Sequence, residues 1–164
     1  MSIVDDIKNS FKSGSTLIKL IYINTAVFLA VKLIGTFITL LQLNTGFSFA
    51  TWLAVPADLN NLIYKPWTIF TYMFLHMDFL HILFNMLWLY WFGMIFLSYF
   101  DNKKLVSVYI IGGLAGAALY ILFYNIFPLF SQELPISYAL GASACSLQQK
   151  SGVRIEIYVG LLAW

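Results

Sequence analysis

The chain has 164 residues, 61% of them hydrophobic and 10% charged, with a formal net charge of +2. Soluble domains carry about 25% charged residues, so the composition excludes a soluble globular class and predicts an integral membrane protein of one small helical bundle. The low net charge gives no ground for a nucleic-acid partner, and the single cysteine, Cys145, excludes an intrachain disulfide.

Residues 1–16 form a polar tail with no short apolar core or small-residue cleavage site, so no signal peptide is expected. Ser13-Gly14-Ser15-Thr16 predicts a turn and a helix cap. Residues 17–43 are apolar, interrupted by Lys19, Asn24 and Lys32. About 20 residues cross the hydrocarbon, so this first span must tilt or protrude. Lys32 is expected to snorkel or to face a wet interior rather than to take part in chemistry.

Residues 44–75 make a long connection with turn residues at Asn44-Thr45-Gly46, Pro56, Asn60-Asn61 and Lys65-Pro66. It is rich in aromatics, among them Phe47, Phe49, Trp52, Tyr64, Trp67, Phe70 and Tyr72. Aromatic side chains favour the membrane–water interface, which predicts short helices lying there.

A second span is expected over residues 79–100, with Asp78 as a cap or loop residue at its start. Asp101-Asn102-Lys103-Lys104 reads as a tight turn into a third span, residues 105–127. That span contains Gly112-x3-Gly116 flanked by Gly113, Ala115, Ala117 and Ala118, which predicts close helix packing. A loop over 128–138 follows, and a fourth span is expected to begin near Tyr138. The basic residues Lys8, Lys12, Lys19, Lys103 and Lys104 gather at one end of this arrangement, and the long first loop carries only Lys65. The positive-inside rule then places the N-terminus in the cytoplasm. A multi-pass protein of the plasma (inner) membrane is expected. Span two runs from outside to inside, with His81 and Asn85 in its outer half, and Ser143 falls near the outer end of span four.

The chemistry-bearing residues are few. His76 and His81 are the two histidines of the chain, and Asn85 follows in the spacing His-x4-His-x3-Asn. A polar side chain at membrane depth is costly and reads as part of a site. His81 and Asn85 lie one turn apart on a single helix face. Asn donates through its amide and neutral His through one ring N–H, and donors in a dry site stabilise an oxyanion. Gly141-Ala142-Ser143-Ala144 supplies a serine among small residues, and serine needs a general base to act as a nucleophile. The simpler alternative for each residue is a hydrogen bond to a neighbouring helix. The two histidines are not one helical turn apart and have no carboxylate cluster beside them, so no metal is expected.

His76-x4-His81-x3-Asn85, within LHMDFLHILFNMLWLYWFG, together with Gly141-Ala142-Ser143-Ala144, resembles the rhomboid intramembrane serine proteases over roughly residues 17–144. The resemblance implies an all-α helical membrane bundle with an active site open to the outer aqueous side, of which the spans read above supply three clear transmembrane helices plus the start of a fourth. It implies a serine endopeptidase that cleaves transmembrane-segment substrates within the lipid bilayer, with no cofactor. Ser143 would be the nucleophile, His81 and Asn85 would line the oxyanion hole, and Gly141 would be the glycine before the serine. His76 matches the motif without an assigned role. Trp67 falls where the family often has Trp-Arg, and Thr68 stands in place of the Arg.

The chain departs from the family in two respects. The family's base is a histidine on a later span, and no histidine follows His81. After Ala144 the sequence CSLQQKSGVRIEIYVGLLAW brings Lys150, Arg154 and Glu156, each costing about 2.5–3.5 kcal/mol at a helix centre. Val153–Val159 even alternates like a soluble strand. Residues 1–16 are therefore expected to be a cytoplasmic tail, 17–144 a partial rhomboid-like domain, and 145–164 an aberrant tail such as a frameshift produces. The chain is expected to be truncated and inactive as a protease. The alternative is a non-catalytic rhomboid-like protein that binds transmembrane clients.

Overall fold

The computed structural model describes residues 5, 8, 11–12, 14–41, 48–76, 78–127, 137–140 and 145–146. The expectations for Gly141, Ser143, the loop residues 128–136 and the tail from 147 onward lie outside the described residues.

Three helices are long and apolar enough to cross a membrane: α1 (Thr16–Leu40), α5 (Phe79–Tyr99) and α6 (Asn102–Ile126). They agree with the three expected spans within a few residues. Ser15 caps α1 by accepting the Ile18 N–H at 3.5 Å, and Asp101 caps α6 by accepting the Lys104 N–H at 2.8 Å. Asp78 holds the N-cap position of α5 with extended backbone, but its side chain makes no cap hydrogen bond.

Between α1 and α5 lie the short helices expected of the aromatic connection: α2 (Phe49–Leu53), α3 (Leu59–Tyr64), α4 (Thr68–Thr71) and a 3-10 turn at Tyr72–Phe74. The connection is tied to itself by side chains. The Trp67 indole donates to the Trp52 carbonyl at 3.2 Å, and the Thr71 hydroxyl donates to the Leu53 carbonyl at 2.7 Å. Thr68 is fully buried and donates to the Lys65 carbonyl at 2.6 Å.

Among the described residues, no helix starts at Tyr138–Leu140, where the fourth span is expected to begin. Tyr138–Leu140 instead forms strand β2 between β1 (Val55–Pro56) and β3 (Cys145–Ser146), all antiparallel, in the order β1-β2-β3. Val55 pairs with Ala139 and Pro56 with Tyr138, and the Ala57 N–H bonds the Ser137 carbonyl at 3.0 Å. The backbone at 137–140 thus finds partners across the sheet rather than in its own next turn. Among the described residues the chain remains an all-α membrane bundle in class, with this small sheet at its edge.

The packing has two centres. Leu17 and Leu20 of α1 meet Leu89 of α5 and Leu105 and Tyr109 of α6. A Cβ at Gly93 would lie 2.5 Å from a Leu17 methyl, so any larger residue there would push the Leu17 side chain aside. The second centre joins Val55, Ala57, Tyr72 and Met73 of the connection to Ala117, Tyr120 and Tyr124 of α6 and Ala139 of β2.

The small-residue stripe of α6 works differently from the expected Gly112-x3-Gly116 pair. Gly113, Gly116 and Ala117 are buried, while a Cβ at Gly112 would meet nothing within 4 Å. At Gly113 a Cβ would lie 2.5 Å from the Met73 sulfur. Among the described residues, the buried face therefore begins one residue later, and at Gly113 and Ala117 it receives the connection. Lys32 is exposed on the second half of α1 and reaches over the Phe28 ring, 5.8 Å from its centroid.

Candidate functional site

The site is built from the end of the connection and the first turns of α5. His81 and Asn85 are both half-buried on α5, four residues and so about 40° apart around the helix. They sit at the margin of the face that buries Ile82, Leu89 and Gly93. The expectation that they share one face is met.

His76 precedes the helix, in extended chain after the 3-10 turn, and is 6% exposed. Its ring centroid lies 5.3 Å from that of His81, with the planes at 65°, an edge-on contact. Helical spacing did not predict this pairing, because His76 is not on the helix. His76 Nδ1 lies 3.2 Å from the Phe74 carbonyl. A carbonyl only accepts, so Nδ1 carries the proton and Nε2 the lone pair. Burial, seconded by the neighbouring His81, lowers the His76 pKa from 6.5 to about 4, against the opposing pull of the Phe74 carbonyl. At neutral pH His76 is an uncharged imidazole with a fixed tautomer.

Two tyrosines hold this segment on α6; Tyr72 was expected only as one interfacial aromatic of the connection, and Tyr109 did not stand out in the sequence. Tyr72 is fully buried, and its hydroxyl donates to the Gly113 carbonyl. Its burial raises its pKa above the usual tyrosine value, so it stays a donor. The Tyr109 hydroxyl lies 3.1 Å from Asn24 Oδ1 and 3.4 Å from the Met73 carbonyl. Asn24, fully buried on α1, donates in turn to the Leu20 carbonyl at 2.9 Å. Asn24 was visible as a polar interruption of span one, which is the signal that finds it. Tyr72 and Tyr109 are two of ten tyrosines, and only the fold distinguishes them.

The same segment contacts the sheet. Leu75, one residue before His76, is buried with Ala54, and Tyr138 of β2 packs against them. Ala139 of β2 is buried beside Tyr72 and Met73. β2 ends at Leu140, and the chain continues into Gly141-Ala142-Ser143-Ala144 before β3. Gly141 and Ser143 themselves lie outside the described residues. Thr68, in the place of the family's Arg, fills a buried position next to the connection's own backbone.

Chemically, the described half of the site offers donors beside a neutral, buried imidazole. Such a set suits stabilisation of a developing negative charge better than proton abstraction, because a base whose pKa lies near 4 holds a proton weakly at neutral pH.

Comparison with known families gives a match to the Rhomboid domain over residues 64–147, just over half of the chain. No curated protein matches the chain.

Proposed function

Because the chain belongs to the rhomboid family of integral membrane proteins, we propose that it carries the nucleophile and oxyanion half of an intramembrane serine-endopeptidase site. In this reading Ser143 attacks a peptide carbonyl in or near a transmembrane segment of a protein substrate. His81 and Asn85 donate hydrogen bonds to the oxyanion that forms, and Gly141 leaves room for the substrate backbone. A base takes the Ser143 proton and returns it to the leaving amine, an acyl-enzyme forms, and water releases it. No cofactor enters the reaction.

The observation that carries this reading is the packing of β2 on the Tyr72–Leu75 segment. The chain leading into the serine motif and the chain leading into His76 and His81 meet there. The N-terminus is read as cytoplasmic in the plasma (inner) membrane, from Lys8, Lys12, Lys19, Lys103 and Lys104 at one end.

Residues 82–164 contain no histidine, so these residues alone lack the family's base and are proposed not to turn over substrate. His76 does not replace it: its Nε2 holds a lone pair, but burial lowers its pKa to about 4 and leaves it a weak base at neutral pH. The same fact favours the second reading, a non-catalytic membrane protein that holds transmembrane clients. The coding DNA beyond codon 144 separates the two. The protease reading expects another frame to continue with small apolar residues and a later span bearing histidine. The product of that frame should then react with a fluorophosphonate probe through Ser143 and lose the label in Ser143→Ala. If no frame continues so and Ser143 stays unlabelled, client binding is the function.

A further inference from the structure

The site between α1 and α5 at the lysine-rich end of the bundle has no part in the chemistry above. There, Ser15, Leu17 and Ile18 of the α1 entry and Tyr90, Met94, Leu97 and Ser98 of α5 line an open groove of about 420 Å³. That volume is within the roughly 300–1,000 Å³ of small-ligand sites. The groove is fixed in shape at its floor. Leu17 is 2% exposed and wedged against Gly93, where even one added methyl would collide.

Its lining divides by chemistry. Leu17, Ile18, Met94 and Leu97 are apolar, while Ser15, Tyr90 and Ser98 bring hydroxyls. Its ends lead in sequence to cations. Lys12 is exposed three residues before Ser15, Lys19 follows Ile18, and Lys103 and Lys104 are exposed just beyond the end of α5. Lys104 bends back over Phe100, its ammonium 5.1 Å from the ring centroid. The one carboxylate in that turn, Asp101, is turned to the α6 N-cap. An apolar trough between the ends of two spans, with exposed lysines within a few residues of its lining, complements an anionic amphiphile.

We propose that this groove is a binding site for an anionic glycerophospholipid. One acyl chain would lie along Leu17, Ile18, Met94 and Leu97, and the phosphate would be met by Lys103, Lys104 and Lys12. The site is independent of Ser143 and of whichever reaction the family site performs, since no residue is shared.

The test uses the purified chain in nanodiscs of phosphatidylcholine doped with a phosphatidylglycerol that carries a photoreactive acyl chain. Crosslinks are expected to concentrate on peptides containing residues 15–18 and 94–98. The same probe on a phosphatidylcholine headgroup should give at least about tenfold fewer. Lys103→Gln/Lys104→Gln, on the exposed turn, should remove most of the preference, and Ser98→Phe, which fills the groove, should remove the localisation. Crosslinks spread evenly along the three spans, or equal yields for the two headgroups, would overturn the proposal. So would a charge preference that survives groove filling in a protein with unchanged thermal unfolding, because diffuse attraction to the basic end would then explain it.

Discussion

Gly112 and Gly113 are adjacent and identical in sequence, yet only one is under constraint. Gly113 receives the Met73 side chain, with a would-be Cβ 2.5 Å from Sδ and 2.8 Å from Cγ. Met73 is 2% exposed and has little room to retreat. Gly113→Ala is expected to cost about 1–3 kcal/mol. Gly112→Ala should be neutral or gain about 0.5–1 kcal/mol from helix propensity. Thermal unfolding in one detergent compares the two directly. The buried Asn24–Tyr109 bond makes a second residue-scale prediction. Tyr109→Phe leaves the Asn24 carbonyl oxygen without its donor in a fully buried place, with an expected loss of about 0.5–2 kcal/mol. Asn24→Leu in the same chain should recover part of it, and a double-mutant cycle measures how much.

His76 gives a pH dependence at the same scale. Its folded pKa, about 4, lies below the 6.5 of an unfolded histidine. Between those values the unfolded chain binds more protons, so stability falls as pH drops from 6.5 toward 4 and levels off below. The full shift corresponds to roughly 3 kcal/mol. His76→Gln should flatten that part of the pH–stability curve. With two histidines in the chain, imidazole NMR can identify the low-titrating ring by comparing the parent with this variant.

At the scale of elements, α1 is two different helices end to end. Its first half buries Leu17, Leu20 and Asn24, whereas Leu33 and Phe37 in its second half are 69% and 62% exposed. Leu17→Ala is therefore expected to cost about 2–5 kcal/mol, and Leu33→Ala less than about 0.5 kcal/mol. Chemical denaturation of the two variants in the same micelle checks the difference. The three spans were legible in the sequence because twenty-odd apolar residues leave no other structure open to them in lipid. The cap at Ser15 was legible too, because a short acceptor side chain stands just before the apolar run; Asp101 was read only as part of a turn, and the expected cap residue Asp78 makes no side-chain cap bond. Strands β1 and β2 were not. Two and three residues are too short to show a period of two, and their pairing joins segments some eighty residues apart. The His76–His81 contact was hidden for a related reason, since it depends on how the Tyr72 turn docks on α6 and not on spacing along a helix. The motif residues themselves were legible as a family pattern, and the Rhomboid match covers them.

For the whole molecule, outward-facing apolar surface dominates. Between 17% and 33% of the central window of each span is buried. Trp88 and Trp91 lie near the middle of α5, about half exposed and in edge-on contact at 5.8 Å. Trp52 and Trp67 sit in the connection, 5.3 Å apart. In bilayers of brominated lipid, bromine at mid-chain is expected to quench Trp88 and Trp91, and bromine near the headgroup to quench Trp52 and Trp67. Trp88→Phe/Trp91→Phe should abolish most of the mid-chain quenching. If mid-chain bromine has no effect on the parent protein, another protein surface covers that pair.

The sheet at the edge of the bundle also controls how chains can associate. In β1 the Ala57 N–H points to β2, so by alternation position 56 faces the opposite, outer side. The residue there is Pro56, fully buried and without an N–H. A foreign strand approaching that edge would find no donor at the centre of β1, and no orphaned donor is left wanting one. Extension of the sheet is blocked on this side, so two copies meeting in the bilayer cannot zip together through β1 into a cross-β assembly.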